Sequence, residues 1–163
     1  MLETGNSYAG GCLCGAVRYQ VEGPSLFETQ CCCRDCQLAT GTGHTTIVGI
    51  HESQLSVHGE VTTYTNAGES GGTVTRHFCG ICGGRLYTSG SLPGEVVMVQ
   101  AGSLDAPGAV TPQNVIYAKD AVRWDHFDPA LDRFELYAPF DEATLAAMNR
   151  DGTYLGANSG RKL

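Results

Sequence analysis

The sequence predicts a mainly β domain, and three observations lead there. Short runs with a side-chain period of two recur along the chain, the spacing at which alternate residues share one face of a strand. Glycine is frequent, at 22 of 163 residues, which favours tight turns between short strands. Only one segment, after Pro139, reads as a good helix. The length is that of one domain able to bury a core. The 42% hydrophobic and 17% charged content is that of a globular chain rather than a disordered one. The expected division is a β domain over residues 8–138, then a C-terminal helix and flexible tail over 139–163.

Residues 1–11 are polar and read as a loose lead-in. In Gly11-Cys12-Leu13-Cys14-Gly15 the thiols stand at i and i+2, so an extended backbone turns both to one side. Val17, Tyr19 and Val21 then share one face and Arg18, Gln20 and Glu22 the other, the pattern of a half-buried strand. Gly23-Pro24-Ser25 is a turn, and residues 26–30 form a short strand delivering the chain to Cys31. Cys31 and Cys33 again stand two apart, and Cys36 follows as in a turn or short helix through Ala39, ended by Gly41 and Gly43.

Residues 45–50, 55–58, 61–65 and 73–78 read as strands, with a polar turn over 66–72. Cys79-Gly80-Ile81-Cys82-Gly83-Gly84 is a knuckle: two thiols with glycines that allow the tight bend. Val96-Val97-Met98-Val99 suits a strand buried on both faces. Residues 114–117 and 134–137 read as two more strands. Asp141 caps a helix carrying Leu145 and Met148 on one face, and Gly152 ends it. Trp124 and the other aromatic residues read as core.

The eight cysteines fall in three tight groups: Cys12 with Cys14, the run Cys31-Cys32-Cys33-Arg34-Asp35-Cys36, and Cys79 with Cys82. Thiols so close in sequence converge on one ion more readily than they form long-range disulfides. Structural zinc takes four N or S ligands, and Cys12, Cys14, Cys79 and Cys82 supply them from distant parts of the chain. A structural zinc contributes on the order of 10 kcal/mol or more of binding free energy coupled to folding. Cys31, Cys33 and Cys36 then make a three-ligand site with one open position, the arrangement of a catalytic zinc. The alternative is a closed second site, completed by His44 or His77. Cys32 points away from its neighbours in an extended run and reads as a buried, inert thiol.

The formal net charge of −7 repels a nucleic-acid backbone. Four thiolates on one zinc and three on another would deepen it to about −10. No stretch reaches the roughly 18 apolar residues of a membrane span. Met1-Leu2-Glu3-Thr4-Gly5 has neither the basic nor the apolar part of a signal peptide, so the expectation is a cytoplasmic chain with reduced thiols.

These residues resemble the family of glutathione-dependent formaldehyde-activating enzymes, which includes centromere protein V. The resemblance runs through Gly11-Cys12-Leu13-Cys14-Gly15-Ala16-Val17-Arg18-Tyr19, Cys31-Cys32-Cys33-Arg34-Asp35-Cys36 with Thr40-Gly41, and Arg76-His77-Phe78-Cys79-Gly80-Ile81-Cys82-Gly83. Asn114-Val115-Ile116-Tyr117 and Trp124-Asp125 sit where the family has similar elements. The resemblance implies a β-tent, Mss4-like fold of short antiparallel sheets. It implies two Zn2+ per chain, a structural one on Cys12, Cys14, Cys79 and Cys82 and a catalytic one on Cys31, Cys33 and Cys36. It implies carbon–sulfur lyase chemistry like that of S-(hydroxymethyl)glutathione synthase, with a small-molecule thiol such as glutathione and a small aldehyde as partners, and no nucleic acid or membrane. Where the family often has histidine between the first two cysteines of the middle motif, this chain has Cys32.

Arg34, Arg76 and Arg85 are the candidates to receive the carboxylates of a glutathione-like molecule; the competing reading puts each in a solvated ion pair. His44 and His77 are candidate acids, each more often structural. Two rival functions remain: a non-enzymatic zinc-stabilised binding module, and a thiol oxidoreductase using residues 31–36, for which the βαβ setting of redox CxxC motifs is lacking.

Overall fold

The computed structural model describes residues 7–69, 71–91, 95–148 and 160–163. The chain runs through β1 (Tyr8–Gly11), β2 (Arg18–Val21), β3 (Phe27–Cys31), α1 (Arg34–Thr40), β4 (Thr45–His51), β5 (Leu55–His58), β6 (Val61–Ala67), β7 (Thr73–Cys79), β8 (Arg85–Gly90), β9 (Val96–Gln100), β10 (Asn114–Ile116), β11 (Asp132–Arg133) and α2 (Glu142–Ala147). The mainly β, tent-like architecture follows: a three-stranded sheet in the order β1-β2-β5, and an eight-stranded sheet in the order β11-β10-β3-β4-β9-β8-β7-β6. All pairings are antiparallel except those of β10, which runs parallel to both β3 and β11. No helix among the described residues is long and apolar enough to cross a membrane.

The large sheet has two unlike faces. Val48 and Ile50 of β4 stand opposite Val99 and Val97 of β9. With Leu86 they pack on Val17, Tyr19 and Val21 beneath the small sheet, forming the main core. Each such side chain contributes roughly 1.5–3 kcal/mol when fully buried. On the other face the register lays Phe27, Gly49, Met98, Thr88 and Arg76 side by side across β3, β4, β9, β8 and β7. A second rung carries Asn114, Thr29, Ile47 and Gln100, and a third carries Ile116, Cys31 and Thr45. All of these residues but Gly49 line one cavity. Gly49 is where a side chain cannot stand: a Cβ there would lie 2.3 Å from the Phe27 ring, which crosses β4 at that point.

Several expectations need correction. Within the expected lead-in, Tyr8–Gly11 is strand β1, paired to β2 along its whole length. Residues 85–90, to which the sequence alone assigns no element, form β8, the return arm of the hairpin that bends at the second knuckle. Residues 134–137 are not a strand. Their backbone is tied to residues 115–118 by single bonds such as Phe134 N to Val115 O and Tyr117 N to Leu136 O, and the paired residues are Asp132 and Arg133 just before them. Trp124 is 67% exposed, not core, because it lies on an irregular loop. Asp141 caps α2, its Oδ1 accepting the Thr144 amide at 2.7 Å; Gly152 falls outside the described residues. Gly160 and Arg161 hydrogen-bond back to Tyr137 and Glu135.

Candidate metal centre and cavity

Cys12 and Cys14 lie in the β1–β2 turn, not in an extended segment. The Gly15 amide donates to Cys12 O at 3.1 Å, and Gly15 takes the left-handed conformation, φ +77°. Cys79 ends β7, and its carbonyl accepts the Gly83 amide at 2.9 Å to close the second knuckle. The two turns bring four sulfurs together, each within 4.8 Å of the others. The Cys12–Cys14 and Cys14–Cys79 separations are 3.6 and 3.7 Å. Tetrahedral bonds of ~2.3 Å to a common ion place sulfurs about 3.8 Å apart, whereas a disulfide needs ~2.05 Å. Backbone amides of Cys14 and Gly84 hold the Cys82 thiol below its ordinary range, and the Val17 amide donates to Cys12 Sγ at 3.2 Å. Cys82 and Cys12 are thus held toward the thiolate, while Cys14, despite the Ala16 amide that draws it down, is pushed up to about 11 by Cys12. The donor set fits a thiophilic divalent ion.

The middle group is positioned differently. Cys31 is the last residue of β3, and Cys33 is the N-cap of α1, its sulfur accepting the Cys36 amide at 3.4 Å. The buried Gln37 side chain fastens this corner by donating to Cys32 O at 2.8 Å and Asp120 O at 2.9 Å. The sulfurs of Cys31, Cys33 and Cys36 lie within 4.8 Å of one another, and no histidine or carboxylate joins them among the described residues. Hydrogen bonds from Cys31 and Cys36 pull the Cys33 thiol well down, and Cys31 is pushed up by the same contact with Cys33. Three crowded sulfurs thus share one negative charge; ionising all three requires a cation among them. Here too the residues fit a metal ion.

Cys32 joins neither group. Its side chain is fully buried with Val115 and Ala118, and burial pushes its thiol up to about 12. The two histidines also lie elsewhere. His44 pairs with Asp125 at 2.6 Å and contacts Gln30 at 3.3 Å, and Gln30 is on the face of β3 opposite to Cys31. His77 stacks on Tyr87 and bonds Ser89 at 2.9 Å, on the face of β7 opposite to Arg76.

The three-cysteine group opens into a cavity of about 150 Å³. Phe27 and Phe140 cover one end, their rings 5.2 Å apart. Of the arginines singled out from the sequence, Arg34 bonds Gln37 at 3.0 Å, away from the cavity lining. Arg76 is engaged by Asn66 and by Asp35 at 3.3 Å. Arg85 lines the cavity with Nη1 buried and without a hydrogen-bond partner. Burial lowers its pKa, while the sulfurs of Cys36 and Cys33 act to raise it. A β-bulge aims it: His77 pairs with Tyr87 and Phe78 with Arg85, leaving Leu86 as the extra residue. In a regular strand Arg85, two residues before Tyr87, would share its face; the bulge turns it to the side of Thr88.

Sequence reasoning missed Phe27, Ile47, Met98, Tyr137 and Phe140 as cavity wall. They are scattered along the chain and meet only through strand register, so no local signal marks them. The knuckle does give one signal: a hairpin bend there implies a return strand. That signal would have revealed β8 and placed Arg85 at its start.

No curated protein compared with the chain matches it. Among solved structures, a crystal structure of a Rhodobacter sphaeroides protein is similar at a TM-score of 0.49 and 23% identity, over 60% of this chain and 87% of that one. The model of the glutathione-dependent formaldehyde-activating enzyme family matches residues 7–120, more than half of the chain and every cysteine of both sulfur groups. The chain therefore belongs to the glutathione-dependent formaldehyde-activating enzyme family.

Proposed function

We propose that this protein is a zinc-dependent carbon–sulfur lyase that joins a small thiol to a small aldehyde, or reverses that addition. Cys12, Cys14, Cys79 and Cys82 hold a structural zinc, and Cys31, Cys33 and Cys36 hold a second with one position free for a visiting molecule. The observation that carries the reading is the middle group: three sulfurs, no fourth ligand among the described residues, and an apolar-walled cavity that they line. When bound there, zinc lowers the pKa of a thiol and polarises a carbonyl oxygen. The family is named for glutathione and formaldehyde, which supports them as the reference pair.

The chain's own groups do the rest. The cavity walls hold both reactants at short range, which removes much of the entropic cost of their encounter. The new bond joins sulfur to the carbonyl carbon, the C=O π pair moves to oxygen, and the proton lost by the thiol ends on that oxygen. Arg85 Nη1, buried and unpartnered, is the donor placed to receive the developing oxyanion. Phe27 and Phe140 cover the end of the cavity away from the sulfurs and keep bulk water from it.

Zinc-loaded protein mixed with thiol and aldehyde pairs, followed by NMR, tests the reading. Hemithioacetal should form, and revert on dilution, faster than without protein. A panel in which no pair is accelerated by protein carrying two zincs per chain would leave the non-enzymatic module as the better description.

A further inference from the structure

The cavity beside Cys31, Cys33 and Cys36 is more selective than the family's reference chemistry requires. Its volume of about 150 Å³ matches a cavity that holds a benzene ring. Phe27, Ile47, Val74, Met98, Ile116 and Phe140 give it apolar walls. The polar side chains among them are largely satisfied by one another. Thr29 Oγ1 donates to Asn114 Oδ1 at 2.6 Å, Thr45 Oγ1 to Gln100 Oε1 at 2.7 Å, and the Tyr117 hydroxyl to that of Tyr137 at 3.0 Å. The charged groups at the rim are also engaged: Arg76 with Asp35, and Glu69 with Lys119 at 2.6 Å.

Glutathione brings two carboxylates and an ammonium, and charges taken into such a space without partners are costly. Only Arg85 offers an unpartnered buried donor among the cavity's described residues, and it serves the reacting oxygen. Tyr137, Ala138 and Phe140 line the cavity but lie outside the family-matched residues 7–120.

We propose that the reactant at this site carries an uncharged apolar group of about benzene size, seated among Phe27, Ile47, Met98 and Phe140 with its reacting atom toward Cys33 and Arg85. The proposal rests on the reading of Cys31, Cys33 and Cys36 as the reacting end. The apolar group arrives on the thiol or on the aldehyde; the recognition chemistry is the same.

Amide chemical shifts of the zinc-loaded protein, titrated in turn with benzyl mercaptan, benzaldehyde and glutathione, test it. The first two arms show whether sulfur or carbonyl carbon bears the apolar group. At least one aromatic ligand should bind about tenfold or more tightly than glutathione, as burial of a phenyl group allows, and shift resonances of Phe27, Ile47 and Met98. Met98→Trp fills the cavity from β9 and Val74→Phe from β7. Whichever variant keeps the wild-type melt should weaken aromatic binding about tenfold or more by the same measure. Glutathione binding as tightly as both aromatic ligands, or aromatic binding indifferent to a folded filling variant, overturns the proposal. Aromatic binding without acceleration of any thiol–aldehyde pair overturns the lyase reading and leaves this one standing.

Discussion

The two sulfur groups share one donor chemistry and differ in everything around it. The four-cysteine group is made of two turns from different sheets, β1–β2 of the small one and β7–β8 of the large one. Its tips face solvent, with Leu13 90% and Ile81 80% exposed, and none of its four cysteines lines the cavity beside the middle group. An ion there ties together segments 65 residues apart in sequence. The three-cysteine group sits on one strand end and the helix that follows it, so an ion there joins only neighbouring residues. What it has instead is the cavity and the unpartnered Arg85 nitrogen. The difference teaches that a metal's role is set by what its ligands connect and by what adjoins them, not by the ligand type.

That contrast breaks first, if it breaks at all, on the four-cysteine side. Cys79→Ser should abolish cooperative thermal unfolding near the wild-type temperature, because loss of a structural zinc removes folding free energy outright. Melts of the variant, and of wild type with a strong chelator, check this; an unchanged melt in a protein short of one metal would reverse the assignment. The next largest effect is on activity. Cys33→Ser should release one zinc per chain and lose turnover by more than about a hundredfold while the melt stays close to wild type. Metal analysis beside calorimetry reads both, and unfolding of this variant would make the middle group structural.

A sharper separation uses the wall alone. Gly49→Ala drives a Cβ to 2.3 Å from the Phe27 ring, and overpacking of that kind costs about 1–3 kcal/mol. It should displace the ring, lower stability by that amount in urea titration, and alter binding in the cavity with both metals retained. The smallest effect is expected at α2. Asp141→Ala removes the cap on Thr144 next to Phe140. It should give a slight drop in melting temperature and a faster amide exchange around Phe140, with the four-cysteine group untouched. The Asp141 carboxyl is held below its usual range by the Thr144 amide, so the cap's contribution is present at neutral pH. It fades as pH falls through the carboxylate range, which the variant's acid melt should show as a lost dependence.

Both ligand groupings were legible in the sequence because a thiol pair two or three residues apart needs only a turn to converge. Cys12 with Cys14 shows this well: the extended geometry expected there is a turn, yet the sulfurs meet. Strands such as β2, β4 and β9 announced themselves through alternation or a continuous apolar run. β1 and β8 did not: Tyr8-Ala9-Gly10-Gly11 has little side chain with which to alternate, and β8 carries a bulge at Leu86 that breaks its period.

The sequence by itself determined which residues are metal-competent and that the chain is mainly β, since both follow from spacing along a few consecutive residues. Only the tertiary structure decided that β10 lies parallel to β3, that His44 and His77 face away from the sulfurs, and that Phe27, Met98, Arg85 and Phe140 meet around one space. Those facts depend on strand order and on register across six strands. A shift of one residue in any pairing turns every side chain to the other face, and no local run of residues encodes that sum.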